Sequence, residues 1–149
     1  GEVMRALARL GSRDQRLATV ATGLVVRAGF GVPPEPLSQV AWSCATMEAE
    51  VPVLWESLAA LAVSRIPEAQ ADVLTTCYWS QSRAGRAAPP ALLEGALTAG
   101  PSAREVANLV WAAARAGEES EELWGRLERA AAGALEVGLA PAGLVLLAW

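Results

Sequence analysis

The stretch Val106–Gly117 reads VANLVWAAARAG. Val106, Leu109, Val110, Ala113 and Ala114 recur at i, i+3, i+4 and i+7, which places them on one stripe of an α-helix. Gly117 then stands where a helix commonly ends on a left-handed residue. The pattern is not solitary. Leu37–Met47 (LSQVAWSCATM) and Leu74–Ala84 (LTTCYWSQSRA) share it, each with a bulky apolar residue first, Trp sixth and small or polar residues after it. Leu144–Trp149 (LVLLAW) opens a further copy. Trp42, Trp79, Trp111 and Trp149 are thus 37, 32 and 38 residues apart. Counting 37 back from Trp42 reaches Arg5 inside MRALARLG, which ends in Leu-Gly at Gly11 and reads as a worn first copy.

A second register runs in step with the first. Trp55 lies thirteen residues after Trp42, and Trp124 thirteen after Trp111. The surrounding strings VLWESLAALAVSRI (53–66) and ELWGRLERAAAGAL (122–135) align without a gap. Thirteen after Trp79 comes Leu92, which opens the shorter copy LLEGALTAG and explains the 32-residue spacing. Self-similarity at a fixed period of thirty to forty residues is the mark of a helical repeat, in which each unit buries its apolar face against the next.

The expected architecture is therefore all-α, an α-solenoid of about four stacked helix-turn-helix repeats in a single domain over 1–149. The units run approximately 1–36, 37–73, 74–105 and 106–143, with a half unit at 144–149. Punctuation agrees with these limits. Gly11, Gly85 and Gly117 suit helix ends, while Pro33, Pro34, Pro36, Pro67, Pro89, Pro90, Pro101 and Pro141 suit joints or first helical turns. Ser102, with Glu105 three residues on, fits a capping box, and Glu118–Glu122 fits a helix start, where the dipole favours anions.

Composition narrows the function. Hydrophobic residues make up 53% of the chain and charged residues 19%, which excludes intrinsic disorder. All twelve basic residues are Arg; with no His and no Lys, the commonest general base and metal ligand is missing, as is Schiff-base chemistry. Neither Cys44 nor Cys77 has a His partner, both fall at apolar helical positions, and they read as buried reduced thiols. No phosphate-binding glycine loop, metal-binding Cys or His pattern, or nucleophile elbow occurs, so no enzymatic activity, metal or cofactor is expected. The apolar stretch from Ala130 onward is broken by Glu136, Pro141 and three glycines, which argues against a membrane span.

Net charge is −4, but unevenly placed. Residues 1–36 carry five Arg against three acids, 37–73 one against five, 74–105 three against two and 106–149 three against six. These are alternating patches, with no basic stripe of the kind a dedicated nucleic-acid binder carries.

The strings VANLVWAAARAG (106–117) and LSQVAWSCATM (37–47), repeated at thirty-odd residues with proline-rich joints, resemble the octotricopeptide repeats. They also resemble the related helical arrays that precede RAP domains in algal and protist organellar proteins. The resemblance covers nearly the whole chain. It implies a plastid or mitochondrial protein whose array binds RNA or supports a large organellar complex.

In such an array the partner-facing surface is the outward face of the first helices. At about 100° per residue this face lies about 180–240° from the apolar leader of each copy. It carries Gln39, Ser43 and Thr46, then Thr76, Ser80 and Arg83, then Asn108 and Arg115, with Arg9 in the worn copy. Amides, hydroxyls and arginines there can bind protein or read base edges and phosphates. The tryptophans, about 140° from the leader, read as packing between units. Leu144, Leu146, Leu147 and Trp149 form a candidate docking end, a first helix without its second. The expected role is a non-catalytic module binding protein partners as a structural or scaffolding subunit of a larger organellar complex. The alternative is an RNA-binding helical repeat in organellar RNA processing or a ribosome. No small-molecule substrate is expected.

Overall fold

A computed structural model describes residues 2–11 and 13–137. The described chain is all-α, with no strand among the described residues: α1 (Glu2–Arg9), α2 (Gln15–Ala28), α3 (Pro34–Thr46), α4 (Pro52–Ser64), α5 (Ala71–Arg83), α6 (Pro90–Thr98), α7 (Ala103–Ala116) and α8 (Glu121–Val137), with one 3₁₀ turn at Gly29–Gly31. None of these helices is long and apolar enough to cross a membrane. The candidate docking end, Leu144, Leu146, Leu147 and Trp149, lies outside the described residues.

Local chemistry sets the helix starts. Pro34, Pro52 and Pro90 open α3, α4 and α6, where the missing N–H costs nothing and the fixed φ suits the first turn. Asp14 caps α2 by accepting from the Arg16 amide at 2.9 Å. Ser102 and Glu105 close a complete capping box on α7: the Ser102 amide donates to Glu105 Oε2 at 2.6 Å, and the Glu105 amide donates to Ser102 Oγ. The odd-numbered helices begin about one turn before the apolar leader of each copy, at Pro34, Ala71 and Ala103 rather than at Leu37, Leu74 and Val106.

The helix ends repeat one geometry. Six residues beyond Arg5, Trp42, Trp79 and Trp111 stand Gly11, Glu48, Gly85 and Gly117, with φ of 75°, 55°, 65° and 71°. In the last three copies the next amide reaches back five residues: Ala49 to the Cys44 carbonyl at 2.9 Å, Arg86 to Gln81 at 3.0 Å and Glu118 to Ala113 at 3.0 Å. This closure satisfies carbonyls that a helix end leaves open. Glu48 fills a position that suits glycine, so no glycine marks this helix end in the sequence.

Packing sorts the helices into two sets. Among the odd-numbered ones, α1 lies on α3, α3 on α5 and α5 on α7; among the even-numbered ones, α2 lies on α4, α4 on α6 and α6 on α8. The odd set is the more closely packed. Between the sets runs one core that includes Leu37, Cys44, Leu58, Tyr78, Leu92 and Leu127. At about 25 cal/mol per Å² of apolar surface, burial along this seam is the main stabilising term.

Two even helices, α4 and α8, are tied down by a recurring indole bond. Trp55 Nε1 donates to the Ala49 carbonyl at 2.9 Å, and Trp124 Nε1 donates to the Glu118 carbonyl at 2.7 Å, each acceptor six residues upstream. Each bond fastens an even helix to the turn that precedes it. Leu92, at the same place in the short copy, is fully buried instead. There α6 presses so closely that a Cβ on Gly95 would stand 3.0 Å from Ile66 Cγ2 and 3.3 Å from Leu74 Cδ1.

Candidate functional site

Each odd helix divides into four strips, and on α3 and α5 their burial follows from a place between two odd neighbours. The apolar leader and its stripe face the core, except Ala114, which is exposed near the end of α7. Two flanks carry small residues: Ser38, Thr75 and Ala107 on one side, and Ser43, Ser80 and Ala112 on the other; on α3 and α5 these flanks meet the adjacent odd helices. All six are buried, and the second trio is 0% exposed. Small side chains let the helix axes approach, and the serine hydroxyls are satisfied within their own helices. Ser43 Oγ donates to the Gln39 carbonyl at 2.7 Å and Ser80 Oγ to the Thr76 carbonyl at 2.6 Å.

Two candidate surface residues are thereby corrected. Ser43 and Ser80 do not face a partner; they are sealed between α1, α3, α5 and α7, because a helix in a row has flanks as well as a front and a back. The remaining candidates stand on the fourth strip, the outward face. Arg9, Arg83 and Arg115 are exposed, and Gln39, Thr46, Thr76 and Asn108 are half-buried. Thr46 and Thr76 donate to carbonyls of their own helices, at Trp42 (2.9 Å) and Asp72 (2.7 Å).

The tryptophans belong to this face. The Trp79 and Trp111 rings meet across α5 and α7, with centroids 5.8 Å apart and planes tilted by 33°. Each carries a guanidinium from one turn further along its helix: Arg83 lies 5.6 Å from the Trp79 centroid, and Arg115 lies 5.5 Å from that of Trp111. Arg115 is held further, since its Nε donates to the Ser82 carbonyl at 3.0 Å on the neighbouring helix. Stacking on an indole leaves the edge donors of a guanidinium free.

Two open grooves mark the face. One, of about 360 Å³, is lined by Arg5, Arg9, Gln39, Trp42, Thr76 and Arg104, with Glu35 and Asp72 beside them, and so spans four helices. The other, of about 570 Å³, lies at the C-terminal edge of α3 and α5 and holds Arg83, Arg86 and Arg115 with Glu48 and Glu50. Gln39, Thr76 and Arg9 are thus brought together, as are Arg83 and Arg115, while Thr46 and Asn108 line neither groove. Sequence reasoning missed Arg5, Arg86 and Arg104. Arg5 stands at the tryptophan position of the first copy, which was the available signal; Arg86 lies in a turn and had none.

Burial pushes the Cys44 and Cys77 thiols from 9.0 up to about 12, which keeps them protonated and unreactive at neutral pH. Burial also raises the Tyr78 phenol from 10.0 to about 12, helped by the negative charge of Glu118. The Tyr78 hydroxyl is sealed without a hydrogen-bond partner. Among the described residues, no three of His, Cys, Asp and Glu gather closely enough to hold a metal ion.

Comparison of the chain with models of known protein families, with curated proteins and with solved structures gives no match.

Proposed function

We propose that the chain is a short α-solenoid of stacked helix-turn-helix repeats. It acts as a non-catalytic interaction module, presenting the outward face of α1, α3, α5 and α7 to a protein partner in a larger assembly. One observation carries this reading: residues equivalent in the sequence register recur in equivalent geometry. The left-handed residue, the five-back amide closure, the indole bond to a turn carbonyl and the Trp–Arg stack each appear at least twice, at the same offsets. A row of helices that repeats its outward side chains offers an extended surface, the form of binding site such arrays use. The protonated thiols support a role without a cysteine nucleophile. The resemblance to octotricopeptide-like arrays supplies the organellar setting, a plastid or mitochondrial complex.

A second reading has its own support. Six arginines line the two grooves, so the face can also bind RNA phosphates. Titration of labelled single-stranded RNA at low and moderate salt separates the two, because phosphate binding is tight and falls steeply with salt. The main reading is tested with photoreactive amino acids at Gln39, Thr76 and Asn108, and at Glu56 and Val63 on the even helices, in an extract of the parent cells. Protein adducts concentrated at the first three positions support it. Equal labelling of both sets, or none, overturns it.

A further inference from the structure

We propose that the pocket formed by Arg83, Arg86 and Arg115 captures an acidic segment of the partner protein, taking its carboxylates on the three guanidiniums. This rests on the interaction-module reading above and specifies which chemistry the partner brings. The pocket holds three permanent positive charges, and none of the three arginines forms an ion pair with a carboxylate among the described residues. Of the two carboxylates at its rim, Glu48 is already engaged by Arg13 at 3.2 Å. Arg86 Nε is buried and has no hydrogen-bond acceptor among the described residues.

Two of the three guanidiniums are also set in place before a ligand arrives. Arg83 rests on Trp79, and Arg115 rests on Trp111 and is fastened to the Ser82 carbonyl. A fork held in this way loses little freedom on binding a carboxylate, and its remaining N–H groups match carboxylate geometry. The Ser82 carbonyl that Arg115 covers belongs to the last turn of α5, the end at which a helix dipole would otherwise repel an anion.

An acidic peptide suits the pocket better than a polynucleotide. The trio is a patch and not a track: in the other groove of the face Glu35 and Asp72 stand among Arg5, Arg9 and Arg104, so a continuous phosphate backbone would meet both signs there, on a chain whose net charge is −4. The two indoles that would offer bases a stacking surface already lie against each other and carry guanidiniums. Carboxylates spaced along a short peptide can pair with the three arginines without crossing either obstacle.

The experiment is fluorescence anisotropy on the full chain with labelled hexaglutamate as the probe, and with hexaglutamine, hexauridylate and inorganic phosphate in comparison. Hexaglutamate is expected to bind at least about tenfold more tightly than hexaglutamine or hexauridylate, and Arg83→Gln and Arg86→Gln are each expected to weaken it about tenfold. Arg115 also covers a helix end, so it is tested as Arg115→Lys, which keeps the charge and loses the fork. Thermal melts accompany every variant. Equal binding of the glutamate and glutamine peptides overturns the proposal, as does preference for hexauridylate, displacement by phosphate at matched charge, or full affinity in a folded Arg83→Gln/Arg86→Gln double variant. These failures leave the broader reading intact as long as cross-links from Gln39, Thr76 and Asn108 persist; loss of those cross-links defeats the broader reading itself.

Discussion

The odd and even helices solve the same packing problem in different ways. On the odd side, small residues on both flanks of α3, α5 and α7 are buried and the helices pack closely, so the outward strip is polar and ordered by stacked Trp–Arg pairs. On the even side contacts are sparser, and apolar side chains such as Val20, Leu24, Val53 and Leu135 stay more than half exposed. Precision is therefore concentrated in the odd row, where a side chain can be displaced only at a cost to its neighbour helix. The even row covers the core, and α4 and α8 are further anchored to the turns before them by the indoles of Trp55 and Trp124.

The largest test of this contrast is alkaline pH. Cys44 and Cys77 sit on odd helices against the core with their folded thiol pKa above the ordinary value. Their contribution to stability is complete below about pH 9 and is lost as pH rises towards about 12, because the unfolded chain ionises first. Tyr78 acts with the same sign from about pH 10 upward. Urea unfolding should show stability falling by several kcal/mol over that range, and a Cys44→Ala/Cys77→Ala variant should fall much less. A flat profile in the parent chain means the seam is wet.

Next in size is overpacking. Ser80→Leu puts a branched side chain into the closed flank between odd helices and should cost about 1–3 kcal/mol. Val63→Leu, at the edge of exposure on α4, should stay within about 0.5 kcal/mol. Matching losses for the two substitutions in chemical denaturation would erase the distinction between the rows.

The anchors come third. Trp55→Phe and Trp124→Phe each remove an indole donor from a turn carbonyl and should cost about 1 kcal/mol. Trp55 should lose more, because it is 2% exposed whereas Trp124 is half-buried. A neutral Trp55→Phe would show that the even row is held by burial alone. The smallest effect is a gain. Glu48→Gly relieves a left-handed residue worth about 1 kcal/mol, against the exposed ion pair to Arg13 and the added freedom of the unfolded chain. A net stabilisation of a few tenths of a kcal/mol is expected in thermal melts. A clear loss would show that the Arg13–Glu48 pair matters more than the turn strain.

Much of this was legible in the chain. The Trp-marked copies, the thirteen-residue offset to Trp55 and Trp124, the glycine at the helix ends and the Ser102 capping box are local or periodic signals, and they predict helices in the right places. The sealed flanks were not legible. Angular distance from Leu37 or Leu74 assigns Ser43 and Ser80 to the outward side, and nothing in one helix says that another lies against them. Glu48 at a glycine position and Arg86 in a turn likewise left no pattern to follow.

By itself, the order of residues determined the helices, their ends and the offsets at which equivalent side chains return, because capping, backbone conformation and apolar periodicity act within a few turns of chain. Only the tertiary structure decided which polar residues meet water, which tryptophans touch and which arginines share a pocket. Those outcomes depend on how closely separate helices approach, and that distance is set by side chains brought together from more than thirty residues apart.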